Sequence, residues 1–168
     1  MVVKDAQSGS EECAIVVALD SLPAWFSNRL SRLTKISKRF VADPGLWAAL
    51  LNADAAAVLA DTGLLGRCIE TFVVAQLRAE AEFSDSRPRL HHVRDREVDV
   101  LVEYSADRVA AIEVKAAAAV DSGDASQLRW LRGQLGSRFV GGVVLHTGPR
   151  LFRLDDGIVA APIAALWG

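Results

Sequence analysis

The sequence predicts one α/β domain, an α/β sandwich built on a mixed β-sheet flanked by α-helices. Three observations predict it. Two runs of alternating character, residues 97–104 and 108–116, are joined by Ser105, Ala106 and Asp107. Apolar residues recur at three- and four-residue spacing over 63–83 and 121–135. Short β-branched runs stand before and after these helical stretches. Strands on both sides of helices, with one antiparallel hairpin among them, require helices packed on a mixed sheet. A chain of 168 residues, 51% of them hydrophobic, can bury one core of its own.

Along the chain, residues 1–12 are small and polar, with Ser8, Gly9 and Ser10 together, and bury little. Residues 1–20 therefore read as a flexible lead-in with a remnant strand, and 21–168 as the domain. A buried strand is expected over 14–19, ended by Pro23, which supplies no ladder donor. Over 28–39 every charge is positive: Arg29, Arg32, Lys35, Lys38 and Arg39. Asp43 followed by Pro44 is a helix start, acceptor first and proline at the first helical position, leading into the apolar 46–51. The longest helix is expected over 63–83, with Leu65, Ile69, Phe72, Val73, Gln76 and Leu77 on one stripe. The stretch 84–88 breaks that pattern, and 90–93 forms a strand at an edge. Leu128, Leu131 and Leu135 mark the core side of the 121–135 helix. Strands follow at 139–145 and 151–154, and the apolar 158–167 docks on the core.

Charge and composition exclude several classes. The 19 basic and 21 acidic residues nearly cancel, and the isoelectric point near 5.9 excludes a surface that is cationic throughout. Any nucleic-acid contact is therefore local. The basic stretch is one candidate for it, with Trp25, Phe26 and Phe40 nearby as candidates for stacking on bases. Cys13 and Cys68 are too few for a zinc knuckle or a disulfide scaffold and read as packing residues in a reducing cytoplasm. No apolar run approaches the ~20 residues that span a bilayer, and the polar N-terminus is unlike a signal peptide. His91 and His92, adjacent in a strand, face opposite sides and read as surface or edge residues. His146 reads as packed. No serine or cysteine has a recognisable base partner.

The hairpin carries the chemistry. With its turn centred on Ala106, Asp99 falls opposite Glu113, Val100 opposite Ile112 and Val98 opposite Val114. The even positions Val98, Val100, Val102, Ala110, Ile112 and Val114 then form an apolar face, while Glu97, Asp99, Glu113 and Lys115 share the odd face. A slip of one residue would destroy this sorting. Carboxylates facing each other across a strand pair are unfavourable. A hard divalent cation such as Mg²⁺ or Mn²⁺ would account for the pair. Lys115, two residues past Glu113, could orient a water or stabilise the charge of a phosphodiester transition state. A solvated edge, with Lys115 paired to Glu97 or Glu113, fits the same spacing.

An acid on one strand followed by Glu113-Val114-Lys115 on the next resembles the PD-(D/E)XK nuclease-like superfamily. More specifically, the chain resembles the C-terminal domain of unknown function of bacterial and archaeal AAA-type ATPases. The matching segments run in order from about residue 20 to the end: Leu22-Pro-Ala-Trp-Phe-Ser-Asn28, Arg32-Leu-Thr-Lys-Ile-Ser-Lys38, Asp43-Pro-Gly-Leu46, Arg96-Glu-Val-Asp99, Ile112-Glu-Val-Lys115, Gly142-Val-Val-Leu145 and the final 162–167. The resemblance implies a restriction-endonuclease-like fold and a Mg²⁺- or Mn²⁺-dependent nuclease site with Asp99, Glu113 and Lys115. It implies Glu70, on the helix before the hairpin, as a fourth residue. Gln127 stands where some relatives carry a Gln and, four residues on, a Tyr; here that residue is Leu131. No Gly-x-x-x-x-Gly-Lys-Ser/Thr loop occurs, so the chain reads as a stand-alone or truncated C-terminal module without the ATPase. The expected partners are DNA or RNA and a separate ATPase subunit. The contrasting expectation is a non-catalytic module that binds DNA or that subunit.

Overall fold

A computed structural model describes residues 18–23, 25, 38–41, 43–93 and 98–167. Strands β1 (Ala18–Leu22) and β2 (Lys38–Val41) pair antiparallel as a separate ribbon. Three helices follow, α1 (Pro44–Leu50), α2 (Ala55–Ala60) and α3 (Thr62–Phe83), each begun by an aspartate. Asp43, Asp54 and Asp61 accept hydrogen bonds from the first free N–H groups of α1, α2 and α3 respectively. The expected start at Asp43 and Pro44 and the long helix are both present.

Six strands then build the main sheet: β3 (Arg89–Val93), β4 (Val98–Ser105), β5 (Arg108–Lys115), β6 (Phe139–His146), β7 (Phe152–Asp155) and β8 (Ile158–Pro162). Their spatial order is β3-β4-β5-β6-β8-β7. Pairing is antiparallel from β3 to β5, parallel from β5 through β6 to β8, and antiparallel again at β7. The parallel step between β5 and β6 needs a crossover, which α4 (Ser126–Leu135) supplies. The sheet is thus mixed, as the sequence predicts.

Helices cover both faces. Val73 and Val74 of α3 pack on Val100, Val102, Ile112 and Leu145, with Leu22 and Phe40 of the ribbon completing that core. On the other face Leu128, Leu131 and Leu135 of α4 pack on Leu101, Val109, Ala111, Val144 and Ile158. This two-sided burial corrects the reading of the hairpin as one apolar and one charged face: the odd positions Leu101, Val109 and Ala111 are core too. The odd-face charges stand toward the two ends, Asp99, Glu113 and Lys115 at one and Glu103, 2.8 Å from His91 Nε2, toward the other. Val98 departs as well, packing in the α4-side core away from Val100. Its pairing with Val93 follows an irregularity in the β3–β4 register, which breaks the simple alternation.

Two further expectations change. The helix expected over 121–135 begins at Ser126, because Asp121 and Asp124 turn 121–125 through bonds from the Gly123 N–H (2.6 Å) and the Asp121 N–H (3.0 Å). His91 and His92 do lie in the edge strand β3 but are buried there at 4% and 6% exposure, not on the surface. Trp25 N–H donates to the His92 carbonyl and His92 N–H to the Pro23 carbonyl, so an N-terminal segment seals the outer edge of β3. His146 is packed as expected. Gly148 N–H donates to its Nδ1, which leaves the ring proton on Nε2 for the Arg150 carbonyl. Cys68 is a free, part-buried cysteine on α3; residues 1–17, Cys13 among them, lie outside the described residues. Among the described residues no helix is long and apolar enough to cross a membrane.

The loops leaving β5 and β6 meet closely. Thr147 N–H donates to the Ala117 carbonyl at 3.0 Å, and a Cβ at Gly148 would lie 2.1 Å from the Ala118 oxygen. Gly148→Ala is expected to destabilise the fold by about 1–3 kcal/mol through overpacking. Gly133→Ala, on α4 with nothing within 4 Å of the added carbon, is expected to stabilise it by about 0.5–1 kcal/mol. Urea midpoints of the two variants check this opposition of sign.

Candidate functional site

Where β4 begins and β5 ends, a cleft of about 690 Å³ opens between the sheet and the helices. The register Val100–Ile112, Leu101–Ala111 and Val102–Ala110 brings Asp99, one residue before Val100, beside Glu113, one residue after Ile112. Val114 N–H donates to Asp99 Oδ2 at 2.9 Å, which ties the carboxylate to the neighbouring strand. Lys115 reaches back along its own strand to Glu113 Oε1 at 2.9 Å. Glu70 enters from α3 and Gln127 from α4. All four residues expected to form the site therefore line one cleft, with Gln127 on its wall.

Sequence reasoning misses the piece that joins them. Lys38 Nζ makes an ion pair with Glu70 Oε1 and lies 3.6 Å from Asp99 Oδ1. Read as part of a basic stretch facing nucleic acid, Lys38 instead turns into the acids. Its backbone N–H donates to His92 Nε2 at 3.2 Å, so a buried imidazole fastens β2 to β3 behind the cleft. The rest of that stretch divides: Arg39 is exposed, while Arg29, Arg32 and Lys35 lie outside the described residues, as do Phe26 and Glu97. Trp25 and Phe40 are not free to stack on bases. Trp25 packs on the α4-side core with Arg138 over its ring at 5.6 Å, and Phe40 is buried under Lys38.

The electrostatics follow from burial. Desolvation, then the charges of Glu113 and Glu70, push the Asp99 carboxyl up to about 8 despite the Val114 N–H and Lys38. Desolvation also raises Glu113, against the pull of its hydrogen bond from Lys115. For the lysines desolvation works the other way, yet Glu70 and Asp99 hold Lys38, and Glu113 holds Lys115, above the usual lysine range. Both stay ammonium ions at neutral pH. Glu113, 6% exposed, keeps its Oε2 buried with no hydrogen-bond partner among the described residues.

That orphaned oxygen tests the fit of a cation. A buried carboxylate oxygen lacks a donor, beside a second carboxylate that burial and like charge drive toward protonation; both faults are relieved by a hard divalent ion. Among the described residues no three His, Cys, Asp or Glu converge closely enough to hold an ion by themselves. Two carboxylates fit Mg²⁺ or Mn²⁺, which keep several waters, better than an all-protein cage.

Asp99 titrates from 3.8 to about 8 on folding, so the fold favours its protonated form. Its contribution to stability is full below pH 4, declines as pH rises and is lost above 8. Asp99→Asn is expected to stabilise the metal-free protein by about 1–3 kcal/mol at pH 8, or about 3–8 °C, and by less at pH 5. Melting curves at the two pH values check this.

Comparison with known proteins gives one family match. Residues 65–166 match the model of the domain of unknown function DUF4143. The matched segment holds Glu70, Asp99, Glu113, Lys115 and Gln127, and leaves out Lys38. Neither the curated proteins nor the solved structures include a match to this chain. Since the matched segment covers more than half of the sequence, the chain belongs to the DUF4143 family.

Proposed function

We propose that this cleft is a metal-dependent nuclease site of the PD-(D/E)XK type that hydrolyses nucleic-acid phosphodiesters. The observation that carries the reading is the buried, unpartnered Glu113 Oε2 beside Asp99 in a cleft that also holds two ammonium groups. On this reading the mixed sheet is a restriction-endonuclease-like core working in the cytoplasm, beside a separate AAA-type ATPase subunit.

Asp99 and Glu113 would hold Mg²⁺ or Mn²⁺, which when bound polarises a phosphoryl oxygen and sharpens a water as nucleophile. Glu70 stands ready beyond them, neutralised by Lys38. The Lys115 ammonium, kept charged by Glu113, serves as an electrostatic donor and not as a base. Its task is to meet negative charge as it grows on the phosphoryl oxygens, in a site where water is partly excluded. Gln127, on the wall formed by α4, offers an amide to orient a water or a phosphate oxygen.

A second reading has one observation in its favour. The Lys38 ammonium already lies between Glu70 and Asp99, as a cation in a retired site would. A non-catalytic module for DNA or an ATPase subunit would then remain.

Calorimetric titration with Mn²⁺ separates the two. Wild type is expected to bind, and Asp99→Ala and Glu113→Gln to bind at least about tenfold more weakly. Lys115→Ala is expected to keep the metal and lose about 100-fold or more in Mn²⁺-dependent cleavage of an oligonucleotide. Absence of both metal heat and cleavage in wild type would sink the nuclease reading. Lys38→Met, which removes a positive charge beside Asp99, is expected to tighten Mn²⁺ binding by about tenfold. Unchanged affinity in that variant would separate Lys38 from the metal position.

A further inference from the structure

The cleft does not end at Glu70. Lys38 and Glu70 also form one end of a second recess of about 360 Å³, which continues between β2, α1 and α3. Its walls carry Arg39, Arg67 and the part-buried indole of Trp47. Three cations stand there against the single carboxylate Glu70, which Lys38 already neutralises. Among the described residues no carboxylate pairs with Arg39 or Arg67. In a chain of formal net charge −2, a recess with two uncompensated guanidinium groups beside an acid cleft calls for a specific anion.

We propose that this recess is the entry track for a single strand of nucleic acid, its phosphates on Arg39 and Arg67 and an unstacked base against Trp47. The proposal rests on the nuclease reading of the cleft, whose substrate form it names. Guanidinium forks match phosphate oxygens in pairs, and an indole accepts any base by its face. The recess has the volume of a small-ligand pocket and so admits one nucleotide unit at a time. A duplex keeps its base faces stacked and offers none to an indole, so the single strand is the form that fits.

Fluorescence anisotropy with a labelled deoxyoligonucleotide of about 12 residues, in EDTA to prevent cutting, tests the track. Arg39→Gln/Arg67→Gln is expected to bind at least about tenfold more weakly than wild type. Loss of two phosphate contacts is also expected to flatten the slope of log affinity against log salt by about 1.4. Trp47→Ala is expected to weaken binding by about 5- to 100-fold, with Trp47→Phe recovering most of the loss. Both arginines are exposed and α1 has no buried residue, so unchanged melting temperatures confirm that the variants fold. Equal binding by wild type and the double variant, or tighter binding of the duplex form, overturns the proposal. Addition of Mn²⁺ separates this failure from failure of the nuclease reading. Arginine-dependent binding without cleavage removes the hydrolase and keeps the track, whereas cleavage at an unchanged rate in the double variant removes the track and keeps the hydrolase.

Discussion

Three carboxylates, Glu70, Asp99 and Glu113, share one cleft with a fourth, Asp124, and the fold there depends on how Lys38 and Lys115 offset them. Removing a carboxylate from water costs several kcal/mol even after relaxation, and like charges nearby add to that cost. Lys38 bridges Glu70 and Asp99, while Lys115 holds Glu113 Oε1. Two ammoniums facing four carboxylates leave negative charge uncompensated, and burial, with that charge, holds the proton on Asp99 up to about pH 8. The cleft is built short of cations. That imbalance, together with the orphaned Glu113 oxygen, distinguishes it from a structural ion-pair network, which would close its own charge.

The position of β5 explains why such a cleft can persist. It is a central strand, antiparallel to β4 on one side and parallel to β6 on the other, with α3 and α4 on its two faces. Core packing therefore holds the backbone on both sides of Glu113 and Lys115, and neither side chain can leave the cleft by moving its strand. Its C-terminal end opens beside the C-terminal end of β6, the end of parallel strands where α/β sheets bind ligands. The hydrogen bond from Thr147 N–H to the Ala117 carbonyl fastens the two loops that leave these strands, and Gly148 leaves room for the Ala118 carbonyl. Rigid strands position the acids, and the loops and α4 are left to shape the rim.

Much of this is legible in the sequence, for a local reason. The alternation of residues 97–104 and 108–116 admits one register, and Val100 does pair with Ile112. The 22-residue helix that carries Glu70 is plain from its stripe, but the choice of Glu70 on it comes from the family resemblance and not from spacing. Lys38 is not legible, because its partners lie 32 and 61 positions away and no local period links β2 to α3. The same non-locality hides His91 and His92. Adjacent polar residues in an edge strand read as exposed, and only the segment through Pro23 and Trp25 covers them. The failure at 121–125 is of another kind: Asp121 and Asp124 compete for backbone N–H groups and win them from the helix. The two-sided burial of the hairpin was open to inspection, since Leu101, Val109 and Ala111 are apolar at odd positions.

Lys38 also decides how the two recesses communicate. It lines both the acid cleft and the cationic recess toward Arg67 and Trp47, and so stands where the sign of the local field changes. On the proposed track, a polyanion drawn to Arg39 and Arg67 would meet Lys38 before Asp99. Phosphate oxygens approaching there would compete with Glu70 and Asp99 for the same ammonium, and any share they took would leave the acids less compensated than before. The acids would then favour a divalent cation more strongly, so anion and cation would assist each other's binding through one lysine. Linkage makes such coupling reciprocal: whatever the strand adds to metal affinity, the metal adds to strand affinity. The arrangement thus connects a residue outside the matched family segment to the three acids inside it, by charge alone and over a few ångströms.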